Sequence, residues 1–169
     1  MDLVGRAREL AAKAYGSSGK LQHPIEVAGL VRDAGFGEEA QAAAVLHDLI
    51  EDTDIDAASI AAEFGWDVAG IVSAMTEDES IEDYAARKDE HRRRAAAAGR
   101  EVAAIFVADK ISNARRMRRG QKELDPRKIA HYAATLEQMR RVYPDLPLLD
   151  QLEEELTGLR SLSARVGRA

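Results

Sequence analysis

The spacing of the apolar residues most limits what this chain can fold into. Ala, Leu, Val and Ile recur three and four positions apart almost from end to end, the period of helices with one face turned inward. Aromatic residues are only 5% of the 169. The pattern predicts about nine helices. The first runs from Leu3 to Tyr15 and stops at the turn-rich Gly16–Lys20 segment, GSSGK. Pro24 to Ala34 is the second, with proline early and the Gly35-Phe36-Gly37 exit marking its ends. Others are predicted from Glu38 to about Glu51, from Asp54–Asp56 to Phe64-Gly65, and from Trp66 to Met75. The remainder cover Ile81 to Ala98, Arg100 to Met117, Pro126 to about Tyr143, and a last stretch after Pro147 reaching Leu162. No repeat and no change in composition marks a second unit. The expectation is a compact all-α bundle, one domain over residues 1–169.

Composition removes several classes of function. There is no cysteine, so disulfides, thiolate metal sites and cysteine nucleophiles are excluded, and any metal must be held by nitrogen and oxygen. With 46% hydrophobic and 32% charged residues and a net charge of −6, neither disorder nor general polyanion binding is expected. The start, MDLVGRARELAAKAYG, has no apolar run of signal-peptide length, and no stretch approaches a membrane span, so the chain is expected to be soluble and cytoplasmic. The arginines at 92–94 and 115–119 lack stacking aromatics and read as solvated faces, not a nucleic-acid surface. His91 and His131 fall on exposed-looking helix surfaces and are not assigned to a metal. Trp66 and the scattered Tyr and Phe residues read as packing residues, with Tyr15 set apart because it borders the loop before His23.

The helix from Glu38 is apolar on nearly all sides and should be central, which makes its polar residues informative. These are His47, Asp48, Glu51 and Asp52. Buried charge is costly unless it is paired or bound to a metal. On one helix His47 and Glu51 would share a face, as would Asp48 and Asp52. His23, in LQHPIEVA, stands at the start of a helix just after the flexible loop. Asp109 is the one acid in the apolar stretch Val102–Asp109. Imidazole and carboxylate without thiolate suit one divalent metal, manganese by preference, with iron or zinc as alternatives.

The order His23-Pro24, then His47-Asp48-Leu49-Ile50-Glu51-Asp52-Thr53, then Ala108-Asp109-Lys110-Ile111-Ser112-Asn113 resembles the HD-domain metal-dependent phosphohydrolases. More narrowly, it resembles the hydrolase domain of RelA/SpoT-type proteins and the stand-alone small alarmone hydrolases of the metazoan SpoT homologue type. Phe64-Gly65, the Thr76–Asp78 loop, Arg87-Lys88 placed 21 residues before Asp109 (109 − 88), and the late Leu-rich helix extend the likeness over Leu10 to Leu156. The resemblance implies an HD-domain helical bundle in which His23, His47, Asp48 and Asp109 are metal ligands. Glu51 and Asp52 would be the catalytic acids that position or deprotonate the attacking water, and Asn113 would line the nucleoside pocket. It further implies a small nucleotide substrate and removal of the 3′-diphosphate of guanosine tetra- or pentaphosphate.

Cations for the substrate phosphates are available in Lys20, Arg87, Lys88 and Arg115, and also in Lys110. The segment AKAYGSSGKLQHP departs from the family, which usually carries an Arg-Lys pair and a tyrosine-containing stretch there. Phe106 stands where the family tends to have lysine. Metal chemistry thus looks intact and the substrate pocket altered. An HD phosphohydrolase of another nucleotide or phosphorylated metabolite is the second reading. A non-catalytic nucleotide-sensing module is the third, disfavoured because a chain released from catalysis would be free to lose costly buried charges. Monomer and homodimer both remain open.

Overall fold

The computed structural model describes residues 2–167. Met1, Arg168 and Ala169, the outermost residues of the expected single domain, lie outside the described residues. The fold is all-α: α1 (Leu3–Tyr15), α2 (Gln22–Asp33), α3 (Glu38–Leu46), α4 (Leu49–Asp52), α5 (Ala57–Phe64), α6 (Trp66–Met75), α7 (Tyr84–Ala97), α8 (Arg100–Arg118), α9 (Pro126–Val142) and α10 (Leu149–Val166). Among the described residues, nine helices have eight residues or more, and α4 is a single turn. None is long and apolar enough to cross a membrane.

Local chemistry sets several of the ends. Asp2, Asp56, Asp83 and Asp125 accept a backbone N–H from the first turn of α1, α5, α7 and α9, satisfying donors that a helix start leaves unpaired. Because Asp83 caps α7, that helix begins at Tyr84, three residues later than the expected Ile81. Helix α2 begins at Gln22, which places His23 and Pro24 inside its first turn.

Helix α8 is the central strut. Every residue from Val102 to Ala114 is buried, and α2, α3, α6, α7, α9 and α10 all pack against it. Helix α3 fills the space beside α1 and α2 with Ala40, Ala42, Ala43 and Ala44, all fully buried. Alanine at these positions lets the helix axes approach closely, and a longer side chain would have to be accommodated by moving a neighbour. Trp66, expected to be a packing residue, is instead 77% exposed at the start of α6, while Phe64 takes the buried place.

The predicted helix from Glu38 to Glu51 is interrupted. His47 Nδ1 donates to the Ala44 carbonyl at 2.7 Å, the acceptor to which a continuous helix would direct the Asp48 N–H. Asp48 takes φ −97° and ψ −3°, and the chain re-enters helix only for the four residues of α4. The expected two faces of one straight helix are therefore not formed. The break sits at the pair His47-Asp48.

Candidate active site and metal centre

The break in α3–α4, the first turn of α2 and the middle of α8 meet at one point. His23 Nε2 lies 3.0 Å from Asp109 Oδ1 and 3.7 Å from Asp48 Oδ2. His47 Nε2 lies 3.1 Å from Asp48 Oδ1 and 3.7 Å from Asp109 Oδ1. The His23, His47 and Asp109 ligand atoms all lie within 4.8 Å of one another.

Hydrogen bonds orient this group. A backbone carbonyl only accepts, so His47 carries its proton on Nδ1 and turns Nε2 inward, where it is buried with no hydrogen-bond partner among the described residues. For His23, Ser112 Oγ donates to Glu26 Oε2 at 2.9 Å. The Ser112 hydroxyl proton is thereby committed to the carboxylate, and Oγ accepts from His23 Nδ1–H at 2.9 Å. Both imidazoles thus present Nε2 to carboxylate oxygens. Lone pairs facing each other at such distances call for a cation between them, and the two-imidazole, two-carboxylate set fits a divalent metal.

The electrostatics point the same way. Burial of the Asp109 carboxyl pushes its pKa up, but the Lys110 ammonium, His23 and His47 outweigh that and hold it well below the usual range. Burial pulls the His47 imidazole down, while Asp48 and Asp109 raise it well above its ordinary value. The pocket favours positive charge at its centre, and metal and protons compete for it. Lys110 Nζ donates to Asp109 Oδ2 at 2.6 Å and sits 3.8 Å over the Phe106 ring. Asn113 Nδ2 donates to Asp109 Oδ1 at 2.7 Å.

Glu51 and Asp52 stand on α4 beside the cluster. Glu51 Oε1 accepts the Glu77 N–H at 2.6 Å. Burial raises the Glu51 pKa and the neighbouring Asp48 adds to it, against the Glu77 hydrogen bond, so the carboxylate is a stronger base than usual. Lys20 Nζ donates to Asp52 Oδ1 at 2.6 Å. Tyr15, buried behind them, has its phenol held neutral by burial and by Asp48 and Asp52.

These residues open onto a cavity of about 470 Å³. His23, His47, Asp48, Asp109, Glu51, Asp52, Lys20, Lys88 and Asn113 all line it. Arg87 and Arg115, expected from the sequence to contact substrate, are not among its lining residues and are engaged with carboxylates instead. The Arg87 guanidinium is held by Glu77 Oε2 at 3.0 Å and by the Ile81 carbonyl at 2.8 Å. Arg115 points toward α2 and α10, donating to Glu155 Oε1 at 3.0 Å and Glu26 Oε1 at 3.5 Å. Each answers a buried or half-buried carboxylate, the cheaper outcome for both charges.

A family model of the HD domain matches residues 4–140. The chain belongs to the HD-domain family. Among curated relatives, it is 35% identical over 119 residues to a probable guanosine-3′,5′-bis(diphosphate) 3′-pyrophosphohydrolase of Synechocystis, covering 68% of this chain and 15% of that protein. It is 33% identical over 127 residues to a probable GTP pyrophosphokinase of Mycobacterium leprae, covering 70% of this chain and 16% of that one. The MESH1 pyrophosphohydrolase of Danio rerio is 33% identical over 101 residues, 59% of this chain and 56% of its own length. The chain therefore spans well under two thirds of each of these relatives. A solved metazoan SpoT orthologue, described as hydrolysing ppGpp, superposes with a TM-score of 0.77 over 93% of this chain and 95% of its own, at 24% identity. A protein of Listeria monocytogenes gives 0.72 over 81% and 97%, at 28% identity.

In this HD-domain chain the cavity also takes in residues that sequence reasoning passed over. Lys122 and Lys128 come from the α8–α9 connection and the start of α9, and Arg116 from the end of α8. Lys122 Nζ donates to Asn113 Oδ1 at 2.5 Å, which ties the basic connection to the metal side. Its strongly basic composition was the available signal. His91 and His131, expected on exposed surfaces, are only 3% and 6% exposed and line the cavity. Helix α7 carries few apolar residues, so its inward face could not be read from periodicity.

Proposed function

We propose that this chain is a metal-dependent pyrophosphohydrolase that removes the 3′-diphosphate of guanosine 3′,5′-bis(diphosphate), with manganese at the His23, His47, Asp48 and Asp109 site. The observation that carries the reading is the convergence of two inward-facing imidazoles and two carboxylates beside Glu51 and below a lysine-bearing cavity. The names of the relatives support the substrate. A divalent cation held there would lower the pKa of water and neutralise phosphate charge.

The chain's own residues do the rest. Glu51, whose basicity burial raises, takes the proton of the attacking water, and Asp52, held by Lys20 and lining the same cavity, orients that water. Lys110 and Lys122 bring positive charge to the edge of the cluster where phosphate oxygens would lie. Lys88 and Lys128 continue it along the cavity. The products are diphosphate and the nucleoside 5′-diphosphate.

The test is a substrate screen with added manganese. It compares guanosine tetraphosphate with ordinary nucleoside mono-, di- and triphosphates and with 3′-phosphorylated nucleotides. Release of diphosphate from the tetraphosphate alone is the expected result. Orthophosphate released from simple monophosphates would replace this reading with a general HD-domain phosphohydrolase.

A further inference from the structure

Buried polar atoms in native proteins find hydrogen-bond partners, and each exception calls for an explanation. Among the described residues, five buried side-chain polar atoms lack a partner within the protein: His47 Nε2, Tyr84 Oη, both nitrogens of His91, and His131 Nε2. All belong to residues that line the one cavity described above. His47 Nε2 faces the metal centre. The other four atoms lie on α7 and α9, away from the motifs, and nothing in the reaction chemistry uses them.

Their protonation can be worked out from their neighbours. Arg92 donates to His131 Nδ1 at 2.8 Å, and a guanidinium has no acceptor, so the His131 proton resides on Nε2. His91 Nδ1 faces Glu77 Oε1 at 3.8 Å, too long for a hydrogen bond but close enough to favour the proton on that nitrogen. His91 Nε2 is left with its lone pair. Both rings pack edge-on against Phe106, at centroid distances of 4.9 and 6.0 Å, so a donor and an acceptor stand against one ring.

Both groups are uncharged. Burial and the surrounding cations hold His91 below its ordinary value and press His131 down to about 2, while burial raises the Tyr84 phenol. Lys20, Lys88, Lys110, Lys122 and Lys128 already offer phosphate far better partners in the same cavity. A neutral donor beside a neutral acceptor suits a ligand portion that has both and carries no charge. In a nucleotide that portion is the edge of the base.

We propose that His91 and His131 form the base subsite of the cavity, His131 Nε2–H donating to a base acceptor and His91 Nε2 accepting from the neighbouring base N–H. The inference rests on the reading above only in taking the ligand to be a nucleotide. Titration calorimetry of the manganese-loaded protein with guanosine 5′-monophosphate and with ribose 5-phosphate tests it. The wild type should prefer the nucleotide, and His131→Phe or His91→Phe should each weaken nucleotide binding about tenfold, the effect of one lost hydrogen bond. Ribose 5-phosphate binding should stay within about twofold under the same logic. His131→Gln, which keeps an N–H donor, should recover part of the preference.

A second measurement uses the wild type alone. The His131 Nε2–H resonance should shift on adding guanosine 5′-monophosphate and not on adding ribose 5-phosphate. Equal weakening of both ligands, an unchanged preference in the variants, or no preference in the wild type would each overturn the subsite. Hydrolysis of guanosine tetraphosphate, assayed on the same wild-type sample, separates the two ideas. A base preference without hydrolysis removes the proposed reaction and supports the subsite, while hydrolysis without a base preference removes the subsite alone.

Discussion

The two walls of the cavity are built on different terms. The metal-facing wall comes from three short stretches, at 23–26, 47–52 and 109–113, and several of its polar groups are tied to one another: His23 to Ser112, Ser112 to Glu26, and Asn113 to Asp109. The α7–α9 wall is assembled from residues spread between Tyr84 and Tyr132, with neutral groups left unpartnered and cations interleaved. The first has much of its hydrogen bonding in place before any ligand arrives. The second keeps hydrogen-bonding capacity for whatever enters. A shared reaction needs fixed geometry around the cation, while selectivity needs unspent donors and acceptors.

Deleting a ligand should hurt the first wall most. His47→Ala, Asp48→Ala or Asp109→Ala should abolish stoichiometric metal binding, read by elemental analysis after gel filtration, and hydrolysis with it. Full metal occupancy in all three would remove the asymmetry between the walls. Glu51→Gln and Asp52→Asn should keep the metal and lower turnover by about 10²-fold or more, the range of general acid–base groups. Turnover at the wild-type rate in both would take α4 out of the chemistry.

The support around His23 gives a smaller effect. Ser112→Ala or Glu26→Gln should weaken metal affinity by about 10- to 100-fold without unfolding the chain, because each frees the tautomer that aims His23 Nε2 inward. Metal titration that matches the wild type would show the His23 orientation to be set by packing alone.

The opposite wall should speak through stability. His131 has an ordinary value of 6.5 and is pressed to about 2 in the fold, so below pH 6.5 the unfolded chain binds a proton that the folded chain does not. Stability should therefore fall as pH drops, by about 2 kcal/mol at pH 5 from this group. Denaturant unfolding of wild type and His131→Phe between pH 7 and 5 checks the sign. The variant should show the shallower loss, and parallel curves would contradict a neutral buried imidazole.

The same contrast explains what could be read from the sequence. Helices were legible because small apolar residues repeat at helical spacing, and α8 in particular shows as the apolar run ending at Asp109. His47, Asp48 and Asp109 stand out because costly polar residues interrupt apolar stretches, while His23, at a helix start, joins them as a ligand through the family resemblance. The ion pairs of Arg87 and Arg115 could not be read, since they depend on Glu77, Glu26 and Glu155, which are distant in sequence or unremarkable by themselves. His91 and His131 were hidden for a related reason. Their inward direction comes from how α7 and α9 lean on α8, and the charge-rich sequence of α7 masks that face.

The interruption at His47-Asp48 carries a warning for anyone who would stabilise this scaffold. A designer smoothing α3 and α4 into one ideal rod would improve local regularity, yet each residue past the join would be re-aimed by up to 100°, the helical increment. Asp48, Glu51 and Asp52 would swing together, so the irregular joint is the part of the framework that should be left untouched.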